Sequence, residues 1–182
     1  MNDRDRLVEL LRERSLEFGD FVLASGARSD FYIDVRRTTM HAEGQALVGR
    51  LGLAAIRAAG LAPQSVGGLT MGADPVSYAI AHASWLAGDP VNAFSVRKQA
   101  KGHGKGRRIE GTFEAGQKVV VIEDTITSGG SALEACAAVR EEGGVVLSVL
   151  AVVDRESGGR EAIEATGVPL ITLVGIRELL KR

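Results

Sequence analysis

Apolar positions first recur at helical spacing near the N-terminus, then settle into an alternation of short solid runs and helical faces. Leu7, Val8, Leu10 and Leu11 share one face of a 3.6-residue period, so the chain opens with an amphipathic helix. Two short strands are expected next, Asp20–Leu23 and Phe31–Val35, joined by the turn Ser25-Gly26-Ala27-Arg28. Ala46–Ala59 carries a long apolar helical face that stops at Gly60. From there strands and helices follow one another: strand Ser65–Leu69, helix Pro75–Leu86, strand Val91–Val96 and a loop. Strand Lys118–Ile122, helix Ser131–Glu142 with its stop at Gly143-Gly144, strand Val145–Val153, helix Glu161–Thr166 and strand Pro169–Val174 complete the series. Solid apolar strands alternating with helices imply an α/β fold with a parallel sheet covered on both faces. Ligands of such sheets sit beyond the carboxyl ends of the strands, and three of those points carry unusual residues.

Bulk properties narrow the classes. A chain of 182 residues suits one domain with a sizeable core. Its net charge of −1 lacks the basic excess of a generic nucleic-acid binder. Cys136 is the one cysteine, so no intramolecular disulfide can form, which fits a reducing compartment and makes the cytoplasm the expected location. The start, Met1-Asn2-Asp3-Arg4-Asp5-Arg6, has no apolar run behind it of signal-peptide or membrane-span length. No repeat, low-complexity segment or linker interrupts the chain.

The first unusual strand end reads Val119-Val120-Val121-Ile122-Glu123-Asp124-Thr125-Ile126-Thr127-Ser128-Gly129-Gly130-Ser131. Two acids close a buried strand, and a loop of hydroxyl and glycine residues leads into a helix. The loop and helix start present free backbone N–H groups suited to a phosphate, and Thr127, Ser128 and Ser131 add hydroxyl donors. Gly129 and Gly130 let the backbone come close and take positive φ where required. Acids set back from the phosphate can accept hydrogen bonds from vicinal ribose hydroxyls or help place Mg²⁺. Phosphate at one end and diol at the other describes a ribose 5-phosphate. An ordinary capped strand–turn–helix is the plain alternative, but charges at the end of a buried strand are costly without a role. The Gly-Lys-Ser/Thr ending of a nucleotide P-loop is absent.

The second stretch, Arg97-Lys98-Gln99-Ala100-Lys101-Gly102-His103-Gly104-Lys105-Gly106-Arg107-Arg108, holds six fixed cations, three glycines and no acid. Like charges and glycine entropy favour an open loop that a polyanion would order. Lys101 and His103 stand two apart and can reach one leaving group. A solvated basic loop is the plain reading, and RNA binding a further one, although no aromatic residue is interleaved for stacking.

The thirteen residues Val119–Ser131 resemble the phosphoribosyl pyrophosphate (PRPP) signature of type I phosphoribosyltransferases. Arg-Lys-x-x-Lys-x-His-Gly at Arg97–Gly104 is similar to the mobile loop of orotate phosphoribosyltransferases in particular. Ser25-Gly26-x-x-Ser29-x-Phe31-Tyr32-x-Asp34 resembles that family's N-terminal hood, Gly67–Pro75 its pyrophosphate loop with an unusual backbone conformation, and Asp154-Arg155 a further motif. The resemblance implies the type I fold, a central parallel sheet flanked by helices, over residues 1–182 as one domain. A small hood would come from about residues 1–38 and the C-terminal segment. It implies transfer of ribose 5-phosphate from PRPP to orotate, giving orotidine 5′-monophosphate and pyrophosphate in pyrimidine synthesis. Mg²⁺ would be held mainly through PRPP, with Asp124 as the protein's contribution. Arg97, Lys98, Lys101, His103 and Glu123–Ser131 (Glu123, Asp124, Thr125, Ile126, Thr127, Ser128, Gly129, Gly130, Ser131) would bind PRPP. Lys101, His103 and Asp124 would be catalytic, and Phe31, Tyr32, Thr127 and Arg155 would hold orotate. The partners implied are these two small molecules and a second copy of the chain, whose 97–108 loop would complete the neighbouring active site. No nucleic acid or membrane partner is expected.

Ala24 and Met71 stand where many members of the family have lysine, so neither is assigned a role; Arg28, Lys105 or Arg107 can make up the charge. Two alternatives stay open: a phosphoribosyltransferase for another base, and a PRPP-sensing regulator that binds nucleic acid. Arg155 and the hood favour an acidic pyrimidine, and the basic loop favours catalysis. His41 and His82 lack metal-type partners, Cys136 sits on an alanine-rich face as a buried small residue, and Trp85 closes an apolar helix as core or interface.

Overall fold

The computed structural model describes residues 2–22, 26, 28–99 and 108–181. Helix α1 (Asp3–Arg14) starts where the Asn2 side chain accepts the Asp5 N–H at 2.9 Å, and it buries Leu7, Val8, Leu10 and Leu11. Strands β1 (Leu16–Val22) and β2 (Arg28–Ile33) form an antiparallel hairpin apart from the main sheet. Both begin ahead of the expected Asp20–Leu23 and Phe31–Val35. The hairpin is mostly exposed, so polar residues are mixed into the start of each strand and no apolar run marks it. Helices α2 (Arg36–Thr39) and α3 (Ala42–Ala58) follow; β2 stops at Ile33, and Val35, the end of the second expected strand, is instead the residue that precedes α2.

The main sheet has six strands in the order β5-β4-β3-β6-β7-β8. They are β3 (Ser65–Leu69), β4 (Asn92–Val96), β5 (Ile109–Gly111), β6 (Lys118–Ile126), β7 (Val145–Asp154) and β8 (Leu170–Gly175). The expected parallel sheet is correct for β3, β4, β6, β7 and β8, whereas β5 is an antiparallel edge strand on β4. With three residues and one buried side chain, Ile109, β5 leaves no periodic signal. Helices α4 (Ala73–Leu86), α5 (Gly130–Glu141), α6 (Gly159–Glu164) and α7 (Ile176–Leu180) join and flank the strands.

Alternating residues of the central strands feed two cores. Val120, Ile122, Leu150 and Val152 pack with α1, α3, α4 and α7, while Val119, Val121, Val149 and Ala151 pack with α5 and α6. Each buried aliphatic side chain contributes about 1.5–3 kcal/mol, so β6 and β7 anchor the fold. Strand β3 needs glycine to fit between its neighbours: a Cβ on Gly67 would lie 2.2 Å from Phe94 O, and one on Gly68 2.0 Å from Ile122 O. Arg12 of α1 donates to the carbonyls of Glu178, Leu179 and Lys181, which closes the C-terminal end of α7. Among the described residues no helix is long and apolar enough to cross a membrane.

From β3 the chain moves outward to β4, then returns to place β6 on the other side of β3. That reversal puts the topological switch point between β3 and β6, where open α/β sheets bind ligands. Pairing of β6 with β3 ends at Gly67–Val121, while its pairing with β7 continues to Ile126–Asp154. The carboxyl half of β6 is therefore bonded on one side only, and a crevice opens on the other.

Candidate active site

A cleft of about 320 Å³ lies at the switch point. The hairpin end Tyr32–Arg36 forms one wall, Leu69–Gly72 after β3 another, and Glu123, Asp124, Thr125, Thr127 and Ser131 the floor, with Lys98 and Arg155 at the rim. A smaller hollow of about 110 Å³ continues from it, bounded by Ile126, Ser128, Gly129, Gly130 and Ala132 as well as four floor residues. Gly129 has φ +82° directly before α5, and a Cβ there would meet Gly159 O at 3.0 Å. Gly130 is already helical and needs no such freedom. Helix α5 thus starts at the hollow with its first N–H groups uncapped by any side chain, a geometry suited to a phosphate.

The acid pair differs in placement from the expectation. Glu123 and Asp124 lie inside β6, not after it, because the strand runs on to Ile126 through its pairing with β7. Glu123 is 7% exposed, and its Oε2 has no hydrogen-bond partner among the described residues. Burial, and then the neighbouring Asp124 charge, push its pKa up to about 8. Burial also raises Asp124, opposed by the Thr125 N–H that its Oδ1 accepts at 2.8 Å and by the Arg36 charge. Burial thus favours the protonated form of Glu123, and a cation placed beside the pair would oppose that shift.

The raised pKa makes stability depend on pH in a defined sense. Below the ordinary carboxylate value of 4.5 the folded and unfolded chains are both protonated, and between 4.5 and about 8 only the folded chain keeps the proton. Stability therefore falls as pH rises through that window and levels off above it. Glu123→Gln removes this dependence. Urea titrations at pH 5 and pH 9 should show the variant gaining about 1–2 kcal/mol on the wild type across the window, less than the full shift because Asp124 shares the charge. Parallel curves for the two proteins would show that Glu123 does not carry the pair's proton.

Arg155 follows β7, its N–H held by Ile126 O at 2.9 Å. Its guanidinium carbon lies 5.4 Å from the centre of the Phe31 ring, so the hairpin and β7 meet over the cleft. Its Nε is buried without a partner among the described residues. Asp154 keeps the turn in place, accepting the Glu156 N–H at 2.8 Å and pairing with Arg160 at 3.3 Å. Tyr32 lines the cleft with its ring against Phe21, whereas Phe31 reaches the site through Arg155.

Of the basic stretch, Lys98 lines the cleft, while Arg97 pairs with Glu110 at 2.9 Å and is not part of the wall. Lys101, His103, Lys105 and Arg107 lie outside the described residues. The base of the stretch is fixed: Arg97 N–H donates to Arg108 O at 2.8 Å, and Val96 pairs with Ile109. Sequence reasoning missed Arg36 as a wall residue, and it picked out Thr70 only as part of the Gly67–Pro75 turn. Arg36 grips Asp34 through Nε and Nη2 at 2.8 and 3.0 Å, a pairing whose only trace is the Asp34-x-Arg36 spacing. The Gly67–Pro75 turn bears out the unusual backbone expected of it, with a cis peptide between Thr70 and Met71.

A phosphate hollow at a helix start, an acid pair beside it and a switch-point cleft under a hairpin define the type I phosphoribosyltransferase class. No family model matches the chain. The orotate phosphoribosyltransferase of Aquifex aeolicus is 45% identical over 183 residues, covering 99% of each chain. The crystal structure of Mycobacterium tuberculosis orotate phosphoribosyltransferase in complex with Fe(III) dicitrate aligns with a TM-score of 0.89 at 47% identity, covering 99% of this chain and 100% of that one. The same enzyme in complex with PRPP aligns with a TM-score of 0.84 at 44% identity, covering 98% and 99%. The chain belongs to the orotate phosphoribosyltransferase family.

Proposed function

We propose that this cleft transfers ribose 5-phosphate from PRPP to orotate, releasing pyrophosphate. One observation carries the assignment to residues. Two buried polar atoms, Glu123 Oε2 and Arg155 Nε, have no partner among the described residues, and both residues line one cleft. Orphaned buried polar groups are costly, and a ribose diol for the first and a carboxylate for the second remove both costs. The phosphate hollow supplies the third contact, through Thr127, Ser128, Ser131 and the backbone from Thr125 to Gly130.

The reaction is substitution at the anomeric carbon, with positive charge developing on the ribose and negative charge on the departing pyrophosphate. Glu123 and Asp124 hold the ribose hydroxyls, and Asp124 takes up a proton where one is released. Lys101 and His103 neutralise or protonate the leaving group, with Lys98 at the cleft rim adding charge. Arg155 orients orotate by its carboxylate, and Tyr32, Thr127 and the backbone at Phe31 complete the base site. The protein's work is positioning and electrostatics. A Mg²⁺ ion would be held mainly by substrate oxygens, with Asp124, which lines the cleft, as the protein's contribution. When bound, that ion supplies charge neutralisation on the pyrophosphate.

The same reading takes residues 1–182 as one domain, with a hood made by about residues 1–38 and the C-terminal segment. Contacts between α1 and α7 support it, since Arg4 pairs with Glu178 at 2.8 Å and Arg12 caps α7. It also takes the chain as a cytoplasmic homodimer in which the 97–108 loop reaches the neighbour's cleft. Exposed Tyr78, Trp85 and Leu86 on α4, beside a groove against α3, support the dimer. Trp85, 71% exposed, is not core.

Orotate's ultraviolet absorbance should fall on mixing with the chain, PRPP and Mg²⁺, and omission of either should abolish the change. Uracil and hypoxanthine, run alongside, should be inert. Turnover of another base with none of orotate would remove the role given to Arg155.

A further inference from the structure

Thr70, Asp74, Ser95 and Tyr78 form a hydrogen-bonded chain that the reaction as described does not use. Asp74 stands in the first turn of α4, and each of its carboxylate oxygens takes one hydroxyl. Thr70 Oγ1 donates to Oδ2 at 2.5 Å, and Ser95 Oγ donates to Oδ1 at 2.6 Å. Ser95 has one hydroxyl hydrogen, already given to Asp74, so at its 2.9 Å contact with Tyr78 Oη the phenol is the donor. Every hydrogen in the chain points toward Asp74.

These bonds tie together segments that meet at the cleft. Thr70 follows β3, and its N–H also donates to Val96 O at 2.8 Å. Ser95 lies in β4, which leads directly to Lys98 on the cleft rim. Thr70, Met71 and Gly72 form the wall opposite the acid pair, so close that a Cβ on Gly72 would lie 2.7 Å from Asp124 Oδ1. The N–H groups of Met71 and Gly72 have no acceptor among the described residues. Since the Thr70 hydroxyl hydrogen is committed to Asp74, this wall offers an anion its backbone amides, not a side-chain donor. Asp74 itself does not line the cleft and acts only through the loop.

We propose that Asp74 is a positioning residue for the pyrophosphate end of PRPP. By gathering the Thr70 and Ser95 hydroxyls it holds the Thr70–Gly72 backbone in register with Lys98 and Asp124. The wall then binds a diphosphate through its amides, in a chain whose position 71 is methionine and supplies no charge. The inference rests on the ribose-phosphate reading of the cleft.

Calorimetric binding of pyrophosphate in the presence of Mg²⁺, with KM values for PRPP and orotate, tests it on wild type, Thr70→Val, Thr70→Ser and Asp74→Ala. Thr70→Val and Asp74→Ala should each weaken pyrophosphate and raise KM for PRPP by ~10-fold, the worth of a hydrogen bond to a charged group, with KM for orotate little changed. Thr70→Ser, which keeps the hydroxyl, should recover most of the loss seen in Thr70→Val. Wild-type pyrophosphate affinity in Thr70→Val overturns the proposal, and so does a rise in KM for orotate that matches the rise for PRPP. A wild-type chain that binds no pyrophosphate overturns the reading of the cleft as well, which separates the two failures.

Discussion

Lys101→Ala is expected to lower kcat at least ~100-fold while leaving the fold intact, because the proposed function gives this cation the charge that develops on the departing pyrophosphate in the transition state. The frame around the basic stretch makes the effect one of chemistry and not of folding. Its two ends are tied by the β4–β5 pairing, by the Arg97–Arg108 backbone bond and by the Arg97–Glu110 ion pair. Arg108 is further held to Glu134, and its N–H to Glu142 of the turn after α5. None of these contacts involves residue 101. Circular dichroism and the melting temperature should match wild type, and KM for orotate should move far less than kcat. Normal turnover in Lys101→Ala would remove the catalytic role from the 97–108 stretch.

Burial explains which parts of this fold could be read from the chain. Strands β6 and β7 are solid apolar runs because both faces of the sheet are covered, and they show plainly in the sequence. The hairpin β1–β2 is exposed on most positions, so its apolar residues are scattered among polar ones and form no run that marks its limits. The phosphate loop is legible because it is local: strand, hydroxyls, glycines and helix start follow one another within a few residues. The Glu123-Asp124 pair was identifiable by its cost in a buried strand, although the strand runs past it. Other parts of the site arise between distant segments and leave no local pattern. Arg155 meets Phe31 across the fold, Asp74 gathers a hydroxyl from β4, and Gly72 packs against Asp124. A period or a motif reports neighbours along the chain, whereas these contacts are set by the order of strands in the sheet.

Arg155→Met should lower kcat/KM for orotate by ~100-fold, the order expected when a desolvated bidentate carboxylate contact is lost, and should leave KM for PRPP nearly unchanged. The structure separates the two substrates. Arg155 is fixed from the β7 side by its N–H on Ile126 O and by Phe31 above it, while the hollow proposed to take the phosphate is formed by Glu123 and residues 125–132. Methionine fills the space beside Phe31 and needs no hydrogen bond, so the variant loses the buried unpartnered Nε. Its stability should equal or exceed that of wild type, since an orphaned buried donor costs about 1–3 kcal/mol. Activity falling as stability holds or rises is the mark of a side chain kept for its ligand. Arg155→Lys should not restore orotate, because a single ammonium cannot meet both carboxylate oxygens in a plane. Discrimination between orotate and uracil should shrink in both variants, since the proposed function gives Arg155 the carboxylate to read. An unchanged KM for orotate in Arg155→Met would move base recognition from β7 to the hairpin and leave the buried Nε without an explanation.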